Sequence, residues 1–335
     1  MKTALTIFTV LVIGGLAGCN GTARENELSS GGKELLTVDF QEGQSLRYKF
    51  VSSRNIAVDQ NPKKSGSKPG KSRLEKTSES MEMVVAYTPI EVDPYGLTTI
   101  KATCESVKVK QSSRRGGRVG KKDAVRSFAG KTFTFTIDPT GKIEDYSQLN
   151  KLIREIGKKV FRPTGKQGRI KEPDMICDFV ATQWFLWDSV SNIEKAAEGL
   201  SIGQTWKSKL SVPTPMPMRQ AREVIYRLDE IRQSEKDRLA VISGSYSHAE
   251  SAPHSWPIPY SGRFQMSGPF GFYRNYKILN LQGQGEELFN IDKGRIEQYN
   301  QNYHMQIEAS LLLSLSGVNP RITIEQSLTM QLLED

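Results

Sequence analysis

The sequence predicts an α+β fold that is mostly antiparallel β: long curved sheet, built from two halves related by an internal duplication, with two central helices packed on one face. Three observations predict it. Across most of the chain apolar and polar residues alternate, as in SLRYKF, where Leu46, Tyr48 and Phe50 alternate with Arg47 and Lys49; a period of two marks a sheet with one solvated face. Between residues 147 and 200 the spacing becomes helical. A hairpin-like stretch also occurs twice, residues 135–148 matching 289–301 once a single turn residue is deleted. The match pairs Phe135 with Phe289, Ile137-Asp138 with Ile291-Asp292, Gly141 with Gly294, Ile143-Glu144 with Ile296-Glu297 and Tyr146 with Tyr299.

The chain has 335 residues, a quarter of them charged, and a formal net charge of +9. That length suffices for one large domain or two small ones. It opens with Lys2 and the apolar run TALTIFTVLVIGGLAG. A membrane-spanning helix needs about 20 apolar residues, and this run is shorter. A secretory hydrophobic region needs only about 7–15, followed by small residues. The tetrad Leu16-Ala17-Gly18-Cys19 resembles the lipobox of bacterial lipoproteins: an aliphatic residue, two small residues that admit the backbone to a peptidase cleft, and a cysteine. The resemblance implies cleavage between Gly18 and Cys19, loss of residues 1–18 and a lipidated Cys19 as first mature residue. Mature lipoproteins of this kind carry two or three acyl chains, enough for a stable anchor where one is marginal. Asn20 in place of Asp implies the periplasmic face of the outer membrane. With Cys19 acylated, Cys104 and Cys177 remain; an oxidising envelope permits a bridge between them, and both also suit a core.

Residues 19–33 read as the lipidated cysteine and a small, polar tether. A first β half is expected over 34–146, beginning with LTVDF and SLRYKF. Within it MEMVVAYTPIEVDPYGLTTIKATCESVKVK reads as a long hairpin about Asp93-Pro94-Tyr95-Gly96, with proline at the second turn position and glycine at the fourth. Two segments, QNPKKSGSKPGKSRLEK and KQSSRRGGRVGKK, are nearly free of apolar residues and read as loops.

A helical segment is expected over 147–200. SQLNKLIREIGKKVF carries Leu149, Leu152, Ile153 and Ile156 at helical spacing, and EPDMICDFVATQWFLWDSV puts Ile176, Val180, Trp184 and Trp187 on one stripe. The stripe is either core packing beneath a sheet or the lining of an apolar pocket. In architecture the arrangement is similar to outer-membrane lipoprotein carriers and acceptors, half-open sheets closed by helices, and that resemblance implies the pocket. The second β half, 201–335, runs through EVIYRLDEI, RLAVISGSYSH, FYRNYKILNL, YHMQIEASLLL and ITIEQSLTMQLL, all alternating.

Motifs for catalysis do not survive their context. Gly199-Leu200-Ser201-Ile202-Gly203 satisfies G-x-S-x-G, but a helical pattern precedes it and extended chain follows, the reverse of a nucleophile elbow. Gly66-Ser67-Lys68-Pro69-Gly70-Lys71-Ser72 is one residue short of a phosphate loop, and Pro69 removes a needed N–H. His248, His254 and His304 show no metal-ligand spacing, and no motif calls for a cofactor. The reading is therefore non-enzymatic: a lipid-anchored module for an apolar or lipidic ligand, or else an interaction protein docking another envelope component. Lys63, Lys64, Lys68, Lys71 and Arg73 in one loop, and Arg114, Arg115, Arg118, Lys121 and Lys122 in the other, are either solvated or contacts to an anionic lipid or glycan surface. They lack the aromatic residues that stack bases, which argues against nucleic acid.

Overall fold

The computed structural model describes residues 32–60, 62, 74–113, 124–160, 171–172, 175–211, 221–234, 237–250, 265–266, 273–311 and 319–334. In chain order the elements are β1 (Leu46–Asp59), β2 (Leu74–Val92), β3 (Thr98–Ser113), β4 (Thr132–Ile137), β5 (Ile143–Asp145), α1 (Ser147–Val160), β6 (Lys171–Glu172), α2 (Ile176–Phe185), α3 (Asp188–Ser191), β7 (Thr205–Ser211), β8 (Ala221–Gln233), β9 (Arg238–His248), β10 (Gln265–Met266), β11 (Tyr273–Asn290), β12 (Arg295–Leu311) and β13 (Arg321–Leu332). The fold is mostly antiparallel β with few helices. Eleven strands form one open sheet in the order β5-β4-β3-β2-β1-β13-β12-β11-β9-β8-β7, and β6 and β10 form a separate two-residue parallel pair.

Read from β7, the sheet is a continuous meander to β13 and then from β1 to β5. The first and last strands therefore pair at the centre, in register from Tyr48↔Leu332 to Asp59↔Arg321. The two edges, β5 and β7, are the strands that flank the helical segment. That segment has to pass from one edge to the other, and it does so over the inward face, where α2 meets β1 and β13.

Alternation decides which side chains face inward. On β13, Ile322, Ile324, Leu328 and Met330 are buried while Arg321, Glu325 and Thr329 are exposed. The long hairpin of the first half forms as β2 and β3. At its turn the Asp93 carboxylate accepts the backbone N–H groups of Tyr95 and Leu97, each at 2.8 Å, and Gly96 takes φ +84°, a conformation glycine adopts without penalty. The two matched hairpins are β4–β5 and β11–β12. Phe135 and Phe289 are both buried, and Gly141 and Gly294 both have positive φ.

Helix α1 buries Leu149, Ile153 and Ile156 on one side, as its spacing predicts. Helix α2 differs from a one-sided stripe: Ile176 and every residue from Asp178 to Phe185 are buried, the mark of a helix enclosed all round. It also ends earlier than the stripe requires. The chain turns at Leu186 and Trp187, and Trp187, with φ −127°, starts α3 instead of continuing α2. LTVDF forms no strand. Leu36 and Val38 are buried, and the Asp39 N–H donates to the Gly294 carbonyl at 2.9 Å, so the segment runs as extended chain beneath the β11–β12 turn. Cys104 is a buried free thiol, so the bridge to Cys177 is not formed. Among the described residues, no helix is long and apolar enough to cross a membrane.

Candidate functional site

Gly18, Cys19 and all ten basic loop residues, Lys63, Lys64, Lys68, Lys71, Arg73, Arg114, Arg115, Arg118, Lys121 and Lys122, lie outside the described residues, as does His254. The four residues of the apolar stripe are described and lie deep on the inward face. Ile176, Val180, Trp184 and Trp187 are all buried. Trp187 sits 5.8 Å from the Phe40 ring, 6.0 Å from Tyr87 and 5.8 Å from Phe135, and Trp184 5.4 Å from Tyr146, centroid to centroid. These are edge-on and tilted contacts of close-packed rings, worth about 0.5–1.5 kcal/mol each beyond area burial. The stripe therefore splits into two aromatic groups, one at each side of the α2–α3 turn.

Beside these rings the inward face carries charge that apolar patterning does not announce. One row crosses four strands in register: Glu79, Arg54, Gln326 and Tyr303. Arg54 donates through Nε to Glu79 Oε2 at 2.6 Å and through Nη1 to Asp178 Oδ1 at 2.9 Å. Asp178 belongs to α2, and its second oxygen accepts Ser52 Oγ at 2.5 Å and Gln326 Nε2 at 2.8 Å. The Tyr303 hydroxyl completes the row by donating to Gln326 Oε1 at 2.5 Å. Each of these bonds joins buried groups, the condition for tolerating charge in a low dielectric.

A second cluster lies toward β7–β9 and is incompletely satisfied. The Arg222 guanidinium carbon stands 4.0 Å over the Phe185 ring and 4.6 Å from the Tyr246 ring, a cation held between two aromatic faces. Its Nη1 donates to Gln301 Oε1 at 2.7 Å, an oxygen that also accepts the Tyr299 hydroxyl. Asp188 accepts Tyr226 OH at 2.6 Å, Ser208 Oγ at 2.7 Å and Asn192 Nδ2 at 2.8 Å. Ser189 Oγ donates to Glu287 Oε1 at 2.5 Å. Burial pushes the Glu287 carboxyl up to about 8, with the Asp188 charge adding to the rise. Burial likewise raises Asp188, against the pull of its hydroxyl and amide donors and of Arg222.

Four polar atoms in this cluster are buried without a hydrogen-bond partner: Arg222 Nε and Nη2, Gln301 Nε2 and Glu287 Oε2. Buried polar groups are nearly always paired in folded proteins, and each exception calls for an explanation. Glycines make the space for the rings around them. A Cβ at Gly285 would overlap the Tyr246 hydroxyl, and one at Gly244 would stand 3.0 Å from it.

These inward charges escaped apolar patterning, yet parity alone marks them. Arg54 shares its face with Phe50, Ile56 and Val58, Arg222 with Val224, Tyr226 and Leu228, and Glu287 with Phe289. A charged residue in phase with buried neighbours is the signal that finds them.

Two grooves open elsewhere. One, of about 580 Å³, is lined by Asn55, Gln282, Gln284, Asn302, His304 and Glu325 among others on the outward face. The other, about 800 Å³, lies at one end of the sheet among Arg47, Asp237, Lys293, Arg295 and Glu297, whose charges pair locally or with Glu105. Ser201 of the G-x-S-x-G stretch is exposed between a 3₁₀ turn and β7, the order expected for a helix end. Among the described residues, no group of three His, Cys, Asp or Glu side chains gathers as a metal-ligand set.

No protein-family model matches the chain, and no curated protein matches it. Among solved structures it is similar to lipovitellin, in a structure of lipid–protein interactions, with a TM-score of 0.45 and 9% identity, covering 88% of this chain and 26% of that one. It is also similar to DynF from the dynemicin biosynthesis pathway of Micromonospora chersina, with a TM-score of 0.20 and 7% identity, covering 95% of this chain and 93% of that one. The chain thus spans about a quarter of the lipovitellin chain, and at these scores neither likeness bears on what the protein does.

Proposed function

We propose that the protein is a lipid-anchored component of a bacterial cell envelope, held through Cys19 at the periplasmic face of the outer membrane, whose body binds an amphipathic, mainly apolar ligand without catalysing a reaction. The observation that carries the binding reading is the unsatisfied cluster at Arg222. Arg222 Nε and Nη2 and Gln301 Nε2 are buried donors without a hydrogen-bond partner, while the Phe185 and Tyr246 rings flank the guanidinium with apolar surface. Apolar walls with a few fixed polar groups are the usual make-up of a small-molecule site. Because the rings are packed against one another, the apolar part of a guest enters by displacing side chains. The basic loops at 63–73 and 114–122 would hold the body against an anionic surface.

We further propose that the sheet arose by duplication. The matched hairpin forms the fourth and fifth strands of the first half, β4–β5, and the fourth and fifth sheet strands counted from β7, β11–β12. Both halves run in the same direction along the sheet.

Native mass spectrometry of the full chain released from membranes tests the reading. The expected result is a co-purifying amphiphile, lost or reduced at least tenfold in Arg222→Met, together with fatty-acid labelling that disappears in Cys19→Ser. A ligand-free mass for the wild-type chain overturns the binding reading, and label retained in Cys19→Ser overturns the anchor.

A further inference from the structure

The outward face of the sheet, opposite the aromatic rings, carries exposed ion pairs such as Lys49–Glu82 and Lys207–Glu223, but one band across its middle strands is nearly free of charge. A quarter of the chain is charged, and solvated strand faces are where Lys and Glu usually gather, both for solubility and to discourage pairing. Crossing β9, β11, β12, β13, β1 and β2 in register, however, the outward residues are Ser245, Gln284, Asn302, Ser327, Ser53 and Ser80. All six are amides or hydroxyls. In the adjoining row Gln282, His304, Glu325 and Asn55 are register neighbours. Residues of both rows line the groove of about 580 Å³. Among the described residues, no hydrogen bond occupies the side-chain amides of Asn55, Gln282, Gln284 or Asn302.

We propose that this groove binds an uncharged, hydroxyl-rich polymer, an extended neutral oligosaccharide. Each amide offers both donors and acceptors, and each sugar hydroxyl is both as well, so the two surfaces satisfy one another; Glu325, the one carboxylate of the lining, adds an acceptor for a sugar hydroxyl. Strands lie about 4.8 Å apart, a spacing close to the length of one hexose in an extended chain, so successive sugars meet successive strands along the row. The lining holds no lysine or arginine, which leaves nucleic acid and anionic lipid without the counter-charge their binding rests on. Its one aromatic residue, Tyr303, is buried, so the groove offers no exposed aliphatic or aromatic anchor of the kind that carries most of the affinity of a protein interface. The site is on the opposite face from the Arg222 cluster and does not depend on it.

Calorimetric titration of the full chain in a polyoxyethylene detergent, chosen to avoid competing sugar headgroups, tests this. The probes are β-1,4-linked hexasaccharides of glucose and of N-acetylglucosamine. The expected result is saturable, salt-insensitive binding of at least one probe, weakened tenfold or more by Gln284→Ala with Asn302→Ala while the unfolding midpoint is unchanged. Asn55→Ala, two strands away from Asn302, should weaken it from an independent position. Absence of binding by both probes, or binding that none of these changes alters, overturns the proposal. Binding confined to a polyanion such as heparin and abolished by salt overturns it too.

Discussion

Arg54 and Asp178 form a fully buried ion pair, Nη1 to Oδ1 at 2.9 Å, that ties helix α2 to the central strand β1. The helix is buried on nearly every side, so packing alone leaves its rotation poorly specified; the Asp178 carboxylate held by Ser52, Arg54 and Gln326, together with Gln183, which accepts the Tyr87 hydroxyl at 2.7 Å, selects a single setting. Removing one partner of a buried pair leaves an uncompensated charge and costs about 3–5 kcal/mol. Arg54→Met should lower the urea-unfolding free energy by that amount. A loss under about 1 kcal/mol, the range of a solvated pair, would show that the pair does not hold the helix.

Glu287 predicts a dependence on pH. Its folded pKa is raised to about 8 by burial, above the ordinary carboxylate range in the unfolded chain. The folded state therefore retains a proton that the unfolded state has released. Its contribution is fully present below about pH 4, declines as pH rises and is gone above about 8, with a slope of at most about 1.4 kcal/mol per pH unit. Unfolding curves between pH 5 and 8 should show stability falling with pH, and Glu287→Gln should flatten that fall. An unchanged slope in Glu287→Gln would refute the assignment.

Cys104 should be chemically silent. It is a buried free thiol whose pKa burial pushes up to about 12, so the reactive thiolate is scarce at neutral pH. Peptide mapping after iodoacetamide treatment should leave the Cys104 peptide unmodified in buffer and modify it fully in guanidinium. Rapid labelling of that peptide in buffer would mean that the β3 region opens readily.

The sheet was legible because alternation is a local signal: β1 and β13 coincide with stretches in which buried residues recur at every second position. The long β2–β3 hairpin was legible for the same reason, with Asp93 and Gly96 marking its turn. What local patterning could not supply was the pairing of β1 with β13, which joins residues nearly three hundred apart in sequence, nor the break in the apolar stripe at Trp187. LTVDF was misread because an apolar alternation records burial and says nothing of whether a neighbouring strand is there to pair. The inward charges were visible in the parity of Arg54, Arg222 and Glu287, but which carboxylate meets which guanidinium follows from how α2 and α3 cross the face, a tertiary fact.

Gly285 should resist substitution even though it lies mid-strand, where glycine is usually a weakness. Its neighbours across the ladder are Gly244 on β9 and Gln301 on β12, and the Tyr246 side chain fills the space above it. An added Cβ would overlap both the Tyr246 hydroxyl and the Asn300 carbonyl oxygen and stand 3.1 Å from Gln301 Cβ. Intrinsic strand preference alone favours Ala over Gly by under about 1 kcal/mol, whereas overpacking costs about 1–3 kcal/mol. Gly285→Ala is therefore expected to lower stability despite its better propensity. In a Tyr246→Phe background the hydroxyl is gone and the contacts with the Asn300 carbonyl and Gln301 Cβ remain, so the cost of Gly285→Ala should shrink; a double-mutant cycle reads the difference directly. Equal costs in both backgrounds would mean that the contacts with β12, at the Asn300 carbonyl and Gln301 Cβ, set the limit. A gain in stability from Gly285→Ala would mean that Tyr246 does not lie where its hydroxyl is placed, and the orientation of the ring against Arg222 would have to be redrawn.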